Sequence, residues 1–387
     1  MPRELRIRPV LHHLQPQGIS EISEYGADFD GVIPMWFGES DLVTPEAPRR
    51  ALIESLESGK TFYQAQNGLP ALRDAIAAYD TRLHDKPVAA DRITVTASGM
   101  TALHVALQTI VDDGENIVLV TPIWPNAPAA MQIMGAEPRR VSLVSQPDGK
   151  WQLDLDRLFD ACDDKTRGIF VNSPNNPTGW MCRRDEQQAI LDFARERGIW
   201  ILADEVYHRI TYGRETAPSF LDLAESDDPV LAINSFSKSW AMTGWRLGWL
   251  TAPPALYDTL GLMVQYTNSN SPEFIQDAGI AAIEQCEDFV HRFRDYCAAG
   301  REIVDEVLGG ANRIRYAQPE AAFYAFLEVE GEHDSMALAE RLVREAKVGV
   351  APGMSFGEES DSWLRLCFAQ DPETLRTGLE RMADTLR

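Results

Sequence analysis

The strongest chemical signal in the chain is Ser235-Phe-Ser-Lys238-Ser-Trp-Ala-Met-Thr-Gly244-Trp-Arg246-Leu-Gly248-Trp249. It sets one lysine among small hydroxyl residues, with an arginine eight positions on. Such a lysine can form a Schiff base to a carbonyl cofactor, and Ser235 with Arg246 can hold an anionic phosphate. The stretch follows the apolar run Val230–Asn234, and ligands gather outside the carboxyl ends of strands in open α/β sheets. Most lysines are simply solvated, so this one needs supporting company.

Four further segments supply it. Val171-Asn-Ser-Pro-Asn175-Asn176-Pro177-Thr178-Gly179 follows a strand-like run, although Asn-Pro and Thr-Gly are also ordinary turn chemistry. Ala203-Asp204-Glu205-Val206-Tyr207 ends another, where an aspartate is commonly a helix N-cap. Thr96-Ala97-Ser98-Gly99-Met100-Thr101 reads as strand, tight turn and helix start, an anion site through backbone N–H groups. Thr121-Pro122-Ile123-Trp124 ends a fourth run, with a tryptophan that fits either a core or a ring-stacking platform.

The elements that must position these residues follow from periodicity. Leu69, Leu72, Ile76, Tyr79 and Leu83 recur at helical spacing. Arg92–Ala97 reads as a strand and Thr101–Val111 as a helix. Strands are further predicted at Ile117–Val120, Gly168–Asn172, Ile199–Ala203, Val230–Asn234 and Leu247–Thr251. These runs are short and almost wholly apolar, as strands buried on both faces are. Helical stretches such as Arg184–Arg197 separate most of them, the βαβ signature of a mainly parallel sheet flanked by helices.

After about residue 275 the pattern changes to a smaller α+β unit. A long helical stretch, Glu273–Leu308, is expected to run continuously between the two units. Strand-like Arg313–Tyr316 and Phe323–Val329, a helix at Met336–Ala346, strand-like Trp363–Phe368 and a final helix through Leu375, Leu379, Met382 and Leu386 follow. The first 40 or so residues lack strong periodicity. The predicted division is a large domain over 45–280 and a small domain built from 1–44 and 281–387.

Composition narrows the function. The 387 residues carry 36 Lys+Arg against 59 Asp+Glu, a net charge of −23. That charge opposes the positive footprint a nucleic acid requires. No run of 18 apolar residues suggests a membrane span, and Met1–Arg8 has no apolar core of a secretory signal. The five cysteines are odd in number and lack CxxC spacing, which points to reduced thiols in the cytoplasm. The seven histidines show no ligand spacing, so no metal is expected; adjacent His12 and His13 read as a solvated loop.

Taken together, from about Ile33 to Phe368, these segments resemble the class I/II aminotransferases, the fold-type-I enzymes that use pyridoxal 5′-phosphate (PLP). The resemblance implies that Lys238 carries the cofactor and shuttles the substrate Cα proton. It makes Asp204 the partner of the pyridinium nitrogen, which must stay protonated for the ring to accept electrons. Asn176 and Tyr207 become donors to the ring's 3-oxygen, and Trp124 stacks on the ring. Ser98, Gly99 and Met100, with Ser235 and Arg246, form the phosphate cup.

The resemblance assigns the substrate carboxylate to Arg365, in Trp363-Leu364-Arg365-Leu366-Cys367-Phe368, whose planar guanidinium gives a two-pronged grip. Asn176 and the backbone of Gly38, in Trp36-Phe37-Gly38-Glu39-Ser40-Asp41, complete that site. The family more often has Gly-x-Pro-Asp there, so Ser40 departs from it. Ala321 departs too, lying where a glycine is frequent. Tyr63 matches a tyrosine that reaches the cofactor of the neighbouring subunit, implying a homodimer.

The implied reaction moves an amino group from an L-amino acid to a 2-oxo acid, 2-oxoglutarate or pyruvate, by a ping-pong aldimine/ketimine route. The alternative is a PLP-dependent C–S β-lyase, which the Ile33-Pro34-Met35-Trp36 opening resembles somewhat. A PLP-binding DNA regulator is disfavoured by the net charge and by an arm of only 32 residues before Ile33. Dicarboxylate-specific relatives often place a cation from the neighbouring subunit near the distal carboxylate. The corresponding loop here, Gln265–Asn270, is neutral, which leans toward neutral or aromatic substrates.

Overall fold

The computed structural model describes residues 6–12, 14, 18–146, 148–311 and 313–387; residues 1–5 and His13, on which part of the reading of the N-terminal arm rests, lie outside them. The apolar runs assemble into a seven-stranded sheet: β1 Ile93–Thr96, β2 Asn116–Thr121, β3 Glu137–Ser142, β4 Thr166–Asn172, β5 Trp200–Asp204, β6 Val230–Ser235 and β7 Gly248–Thr251. Their spatial order is β1-β7-β6-β5-β4-β2-β3. Only β7 runs against its neighbours β1 and β6; the other pairings are parallel.

Alternate residues of β2 feed opposite layers. Ile117 and Leu119 pack with Leu103 and Leu107 of helix Gly99–Ile110. Val118 and Val120 pack with Ile190 and Leu191 of helix Arg184–Arg197. Each such aliphatic side chain contributes roughly 1.5–3 kcal/mol on burial, so the sheet is fixed from both faces.

Strand β3, Glu-Pro-Arg-Arg-Val-Ser, escaped the sequence reading because it is polar and buries only Val141. It forms the sheet's edge, where proline and charge are tolerated and discourage further pairing.

The second sheet is antiparallel, β8 Ile314–Tyr316, β9 Tyr324–Val329, β10 Ala351–Pro352 and β11 Trp363–Cys367, in the order β8-β9-β11-β10. Its core takes Ile19, Ile22, Met35 and Trp36 from one end of the chain and Leu375, Leu379, Met382 and Leu386 from the other.

The expected continuous helix over Glu273–Leu308 is interrupted. Helix Glu273–Gln285 ends at Cys286 (φ −119°, ψ 24°) and a new helix, Glu287–Leu308, begins one residue later. Glu287 and Asp288 in its first turn favour that restart, since acidic groups complement the positive end of the helix dipole. The aperiodic N-terminal region also holds a nine-residue helix, Gly18–Gly26, which buries Ile19 and Ile22 three apart.

Candidate active site

The carboxyl ends of β4, β5 and β6 and the start of helix Gly99–Ile110 converge on one cavity of ≈ 260 Å³. Gly38, Gly99, Met100, Trp124, Asn176, Asp204, Tyr207, Ser235, Lys238, Arg246 and Arg365 all line it. Two residues singled out from sequence do not. Ser98 lies just behind, its Oγ accepting from Thr101 N at 3.0 Å as the helix N-cap. Tyr63 is 87% exposed on the surface of its own chain.

Lys238 sits in the short helix Phe236–Ser239, capped by Ser235 Oγ, which accepts from Ser237 N at 3.1 Å. Its ammonium donates to Gly38 O at 2.7 Å. Separation from water brings its pKa down to about 8, so roughly a tenth is the neutral, nucleophilic amine at pH 7, far more than for an ordinary lysine.

Asp204 ends β5 and is buried, which pushes its carboxyl up to about 7 against the opposing pull of Val206 N–H, 3.4 Å from Oδ1, and of the Lys238 charge. Its neighbour Glu205 is directed elsewhere, accepting from Ser219 Oγ at 2.7 Å and Phe220 N at 3.1 Å. The strand's end therefore divides an Asp-Glu pair into one carboxyl for the cavity and one for the scaffold.

The first amides of helix Gly99–Ile110 have no intrahelical partner and make a ready anion site. Gly248 lets β7 lie against them, since a Cβ there would come 2.7 Å from Gly99 N. Ser235 Oγ lies 2.9 Å from Ser237 Oγ, and Arg246, at a left-handed φ of +54°, donates to Thr243 O at 2.7 Å.

Arg365, in the middle of β11, is 2% exposed. It donates to Asn176 Oδ1 at 3.2 Å and to Trp36 O, and lies over the Tyr324 and Phe356 rings at 4.6 and 5.0 Å. Its buried Nε has no partner among the described residues. A guanidinium held against two aromatic rings with a donor to spare is suited to a planar anion.

The sequence reading missed several lining groups. Asn172 accepts from Asn176 N at 2.8 Å and donates to Asp204 O at 3.1 Å, tying two strand ends together. Ile19 and Ser20 arrive from helix Gly18–Gly26. Tyr324 places its hydroxyl 2.7 Å from that of Tyr207. The departure near Ala321 falls beside a left-handed residue, Ala322 at φ +59°, where glycine would be at ease.

This combination of one lysine, one buried carboxyl at a strand end and two arginines around one cavity is that of a known group of enzymes. The family model for class I and II aminotransferases matches residues 32–382. The chain belongs to that family. It is 32% identical over 391 residues to a probable aspartate/prephenate aminotransferase of Aquifex aeolicus, covering 97% of each chain. Among solved structures, this aminotransferase superimposes on the aspartate aminotransferase of Thermotoga maritima with a TM-score of 0.90 at 28% identity, covering 98% of this chain and 99% of the other. The aromatic aminotransferase of Pyrococcus horikoshii gives 0.87 at 29% identity, with 94% and 98% covered.

Two surface features of this aminotransferase lie together outside the cavity. The neutral 265–270 segment, expected as a loop, is the last turn of helix Tyr257–Asn268 and the two residues after it. It meets the segment after Tyr63, Gln66 Nε2 donating to Gln265 Oε1 at 2.6 Å and Asn270 Nδ2 to Gln64 O at 3.2 Å. Elsewhere Glu215, Glu287 and His291 approach one another, but the Arg209 guanidinium already pairs with Glu287 and supplies the positive charge. Among the described residues no helix is long and apolar enough to cross a membrane.

Proposed function

We propose that this aminotransferase uses PLP to move the amino group of a neutral, apolar or aromatic L-amino acid to 2-oxoglutarate or pyruvate, in two alternating half-reactions. The observation that carries this reading is the placement of the Lys238 amine and the buried Asp204 carboxyl in one cavity with a helix N-terminus and Arg365. Asp204, buried with one long hydrogen bond to its carboxyl among the described residues and the Lys238 charge nearby, fits a ring N–H. Arg246, Ser235 and the amides of Gly99 and Met100 fit a phosphate.

Bound there, the cofactor supplies an electron sink for the carbanion left when a proton departs from the substrate Cα. Lys238 Nζ holds the cofactor and, once displaced by the substrate amine, takes that proton and later delivers it. Asp204 keeps the ring nitrogen protonated. Tyr207 and Asn176 donate to the ring oxygen, and Trp124 covers a ring face. Arg365, with the Gly38 backbone and Asn176, orients the α-carboxylate.

Charge bookkeeping supports the substrate class. Among the described residues, the cations lining the cavity are Lys238, Arg246 and Arg365. A phosphate and an α-carboxylate occupy the two arginines, and Lys238 is the base. A second carboxylate, as on aspartate or on 2-oxoglutarate, would be buried without a partner, a costly arrangement that favours pyruvate of the two acceptors, whereas Ile19, Phe37, Met100, Leu103 and Trp124 offer apolar contact.

The test is a panel of amino acids added to PLP-loaded enzyme, following loss of the visible cofactor band. Aromatic and apolar amino acids should discharge it fastest; fast discharge by aspartate alone overturns the substrate class. Release of pyruvate and ammonia from cystathionine with no 2-oxo acid added would instead favour the lyase.

The same reading takes Tyr63 to the cofactor of a second subunit in a homodimer, which its exposure with Phe62 and Tyr266 supports. It also divides the chain into domains over 45–280 and 1–44 plus 281–387. Five free cysteines, four of them buried, suit a reducing cytoplasm.

A further inference from the structure

Tyr324 is completely buried, yet carries a hydroxyl, and a buried tyrosine O–H needs a partner. Among the described residues that partner is the Tyr207 hydroxyl, at 2.7 Å. The two rings meet edge to face, centroids 5.6 Å apart at 81°, so the hydroxyls are held by ring packing as well as by each other. Tyr324 opens β9, in register with Cys367 of β11 and two residues from Arg365 along that strand. Three further features fix it. The Arg365 guanidinium lies 4.6 Å over its ring, Phe323 packs against it at 4.9 Å, and Gly38 is a glycine where any Cβ would overlap the Tyr324 hydroxyl.

Each tyrosine has one proton to give. If Tyr207 donates into the cavity, the proton between the two oxygens must come from Tyr324. A donor feeding an oxygen makes that oxygen's own O–H a better donor, because chained hydrogen bonds polarise one another. We propose that Tyr324 is a positioning residue, whose hydroxyl donates to Tyr207 and thereby both aims the Tyr207 proton at the cofactor's ring oxygen and strengthens that bond. This rests on the functional reading above, in which Tyr207 touches the cofactor.

The consequence is a shift in a titration. Negative charge on the ring oxygen favours a proton on the Lys238 nitrogen that holds the cofactor, and a stronger hydrogen bond from Tyr207 offsets that charge. Removing the Tyr324 hydroxyl weakens the bond and raises the pH midpoint of the bound cofactor's visible band. The other ionisable groups facing the pair are Asp204, Arg365, Cys367 and Lys238, whose ammonium lies 5.5 Å over the Tyr207 ring; all are unchanged by Tyr324→Phe.

The experiment records the visible band against pH for PLP-loaded wild type, Lys238→Ala, Tyr324→Phe, Tyr207→Phe and the double phenylalanine variant. Tyr324→Phe should raise the midpoint by about 0.3–1 pH unit, and the same substitution should leave the midpoint unmoved in the Tyr207→Phe background. Because phenylalanine keeps the ring beneath Arg365, the KM for the amino acid should stay within about twofold while kcat falls; Tyr324→Leu, which removes the ring, should raise KM. An unmoved midpoint in Tyr324→Phe, or an equal shift in both backgrounds, overturns the inference alone. A wild-type protein with no Lys238-dependent band overturns the functional reading, and this inference with it.

Discussion

Lys238 Nζ donates a 2.7 Å hydrogen bond to the backbone carbonyl of Gly38, a residue 200 positions earlier. The contact joins the strongest motif in the sequence to a loop whose backbone borders Arg365 and Tyr324. It also holds the amine inside the cavity, where distance from water rather than a neighbouring cation is the main cause of its lowered pKa.

That lowered value is directly measurable. In cofactor-free protein the alkylation rate of Lys238 should rise with a midpoint near pH 8, against roughly 10.4 for an ordinary lysine. Peptide mapping after reaction across a pH series gives the midpoint, and a value above 10 would contradict the desolvated setting. Lys238→Ala should abolish both amino transfer and the visible band.

Asp204 makes the protein less stable as pH rises. Its folded-state pKa of about 7 lies above its ordinary value, so the unfolded chain loses the proton first, and native stability falls between about pH 4 and 7. Asp204→Asn removes that loss. Without cofactor it should be more stable than wild type at pH 8, by on the order of 1–4 kcal/mol, with the gain gone below about pH 4. Urea melts at both pH values check this, and a variant less stable at pH 8 would refute it. Amino transfer should fall sharply in the same variant.

Arg365→Lys keeps a charge but loses the planar fork. The lysine can reach neither Asn176 Oδ1 and Trp36 O together nor both oxygens of a carboxylate. Steady-state kinetics should give a kcat/KM lower by roughly 10–100-fold, mostly through KM. A change confined to kcat would argue that Arg365 does not hold the substrate carboxylate.

Most of the large sheet and its strand-end residues were legible because strands buried on both faces leave unbroken apolar runs, and Asp204, Asn176 and Lys238 follow such runs directly. Strand β3 was not, because an edge strand buries one side chain and otherwise keeps its polarity. The break at Cys286 was hidden because both flanking segments are helix-compatible and the interruption is a single residue. Tyr324 could not be paired with Tyr207 from sequence, since 117 positions separate them and only the approach of β9 to the end of β5 brings the hydroxyls together. Ile19 reached the cavity through a helix too short to announce itself by period.

Gly38 and Tyr324 provide a test of how closely the loop around Gly38 fits against the second sheet beside the cavity. A Cβ on residue 38 would overlap the Tyr324 hydroxyl and lie 3.1 Å from its Cζ. Gly38→Ala should therefore displace the tyrosine or the loop, losing about 100-fold in kcat/KM, since small misplacements near reacting groups are costly. Adding Tyr324→Phe removes the worst overlap while leaving the tight approach to the ring. The double variant should recover at least tenfold over Gly38→Ala, a coupling of more than about 1.4 kcal/mol between residues in contact. Additive losses would place the damage elsewhere, in the carbonyl that Lys238 holds rather than in the space the tyrosine needs.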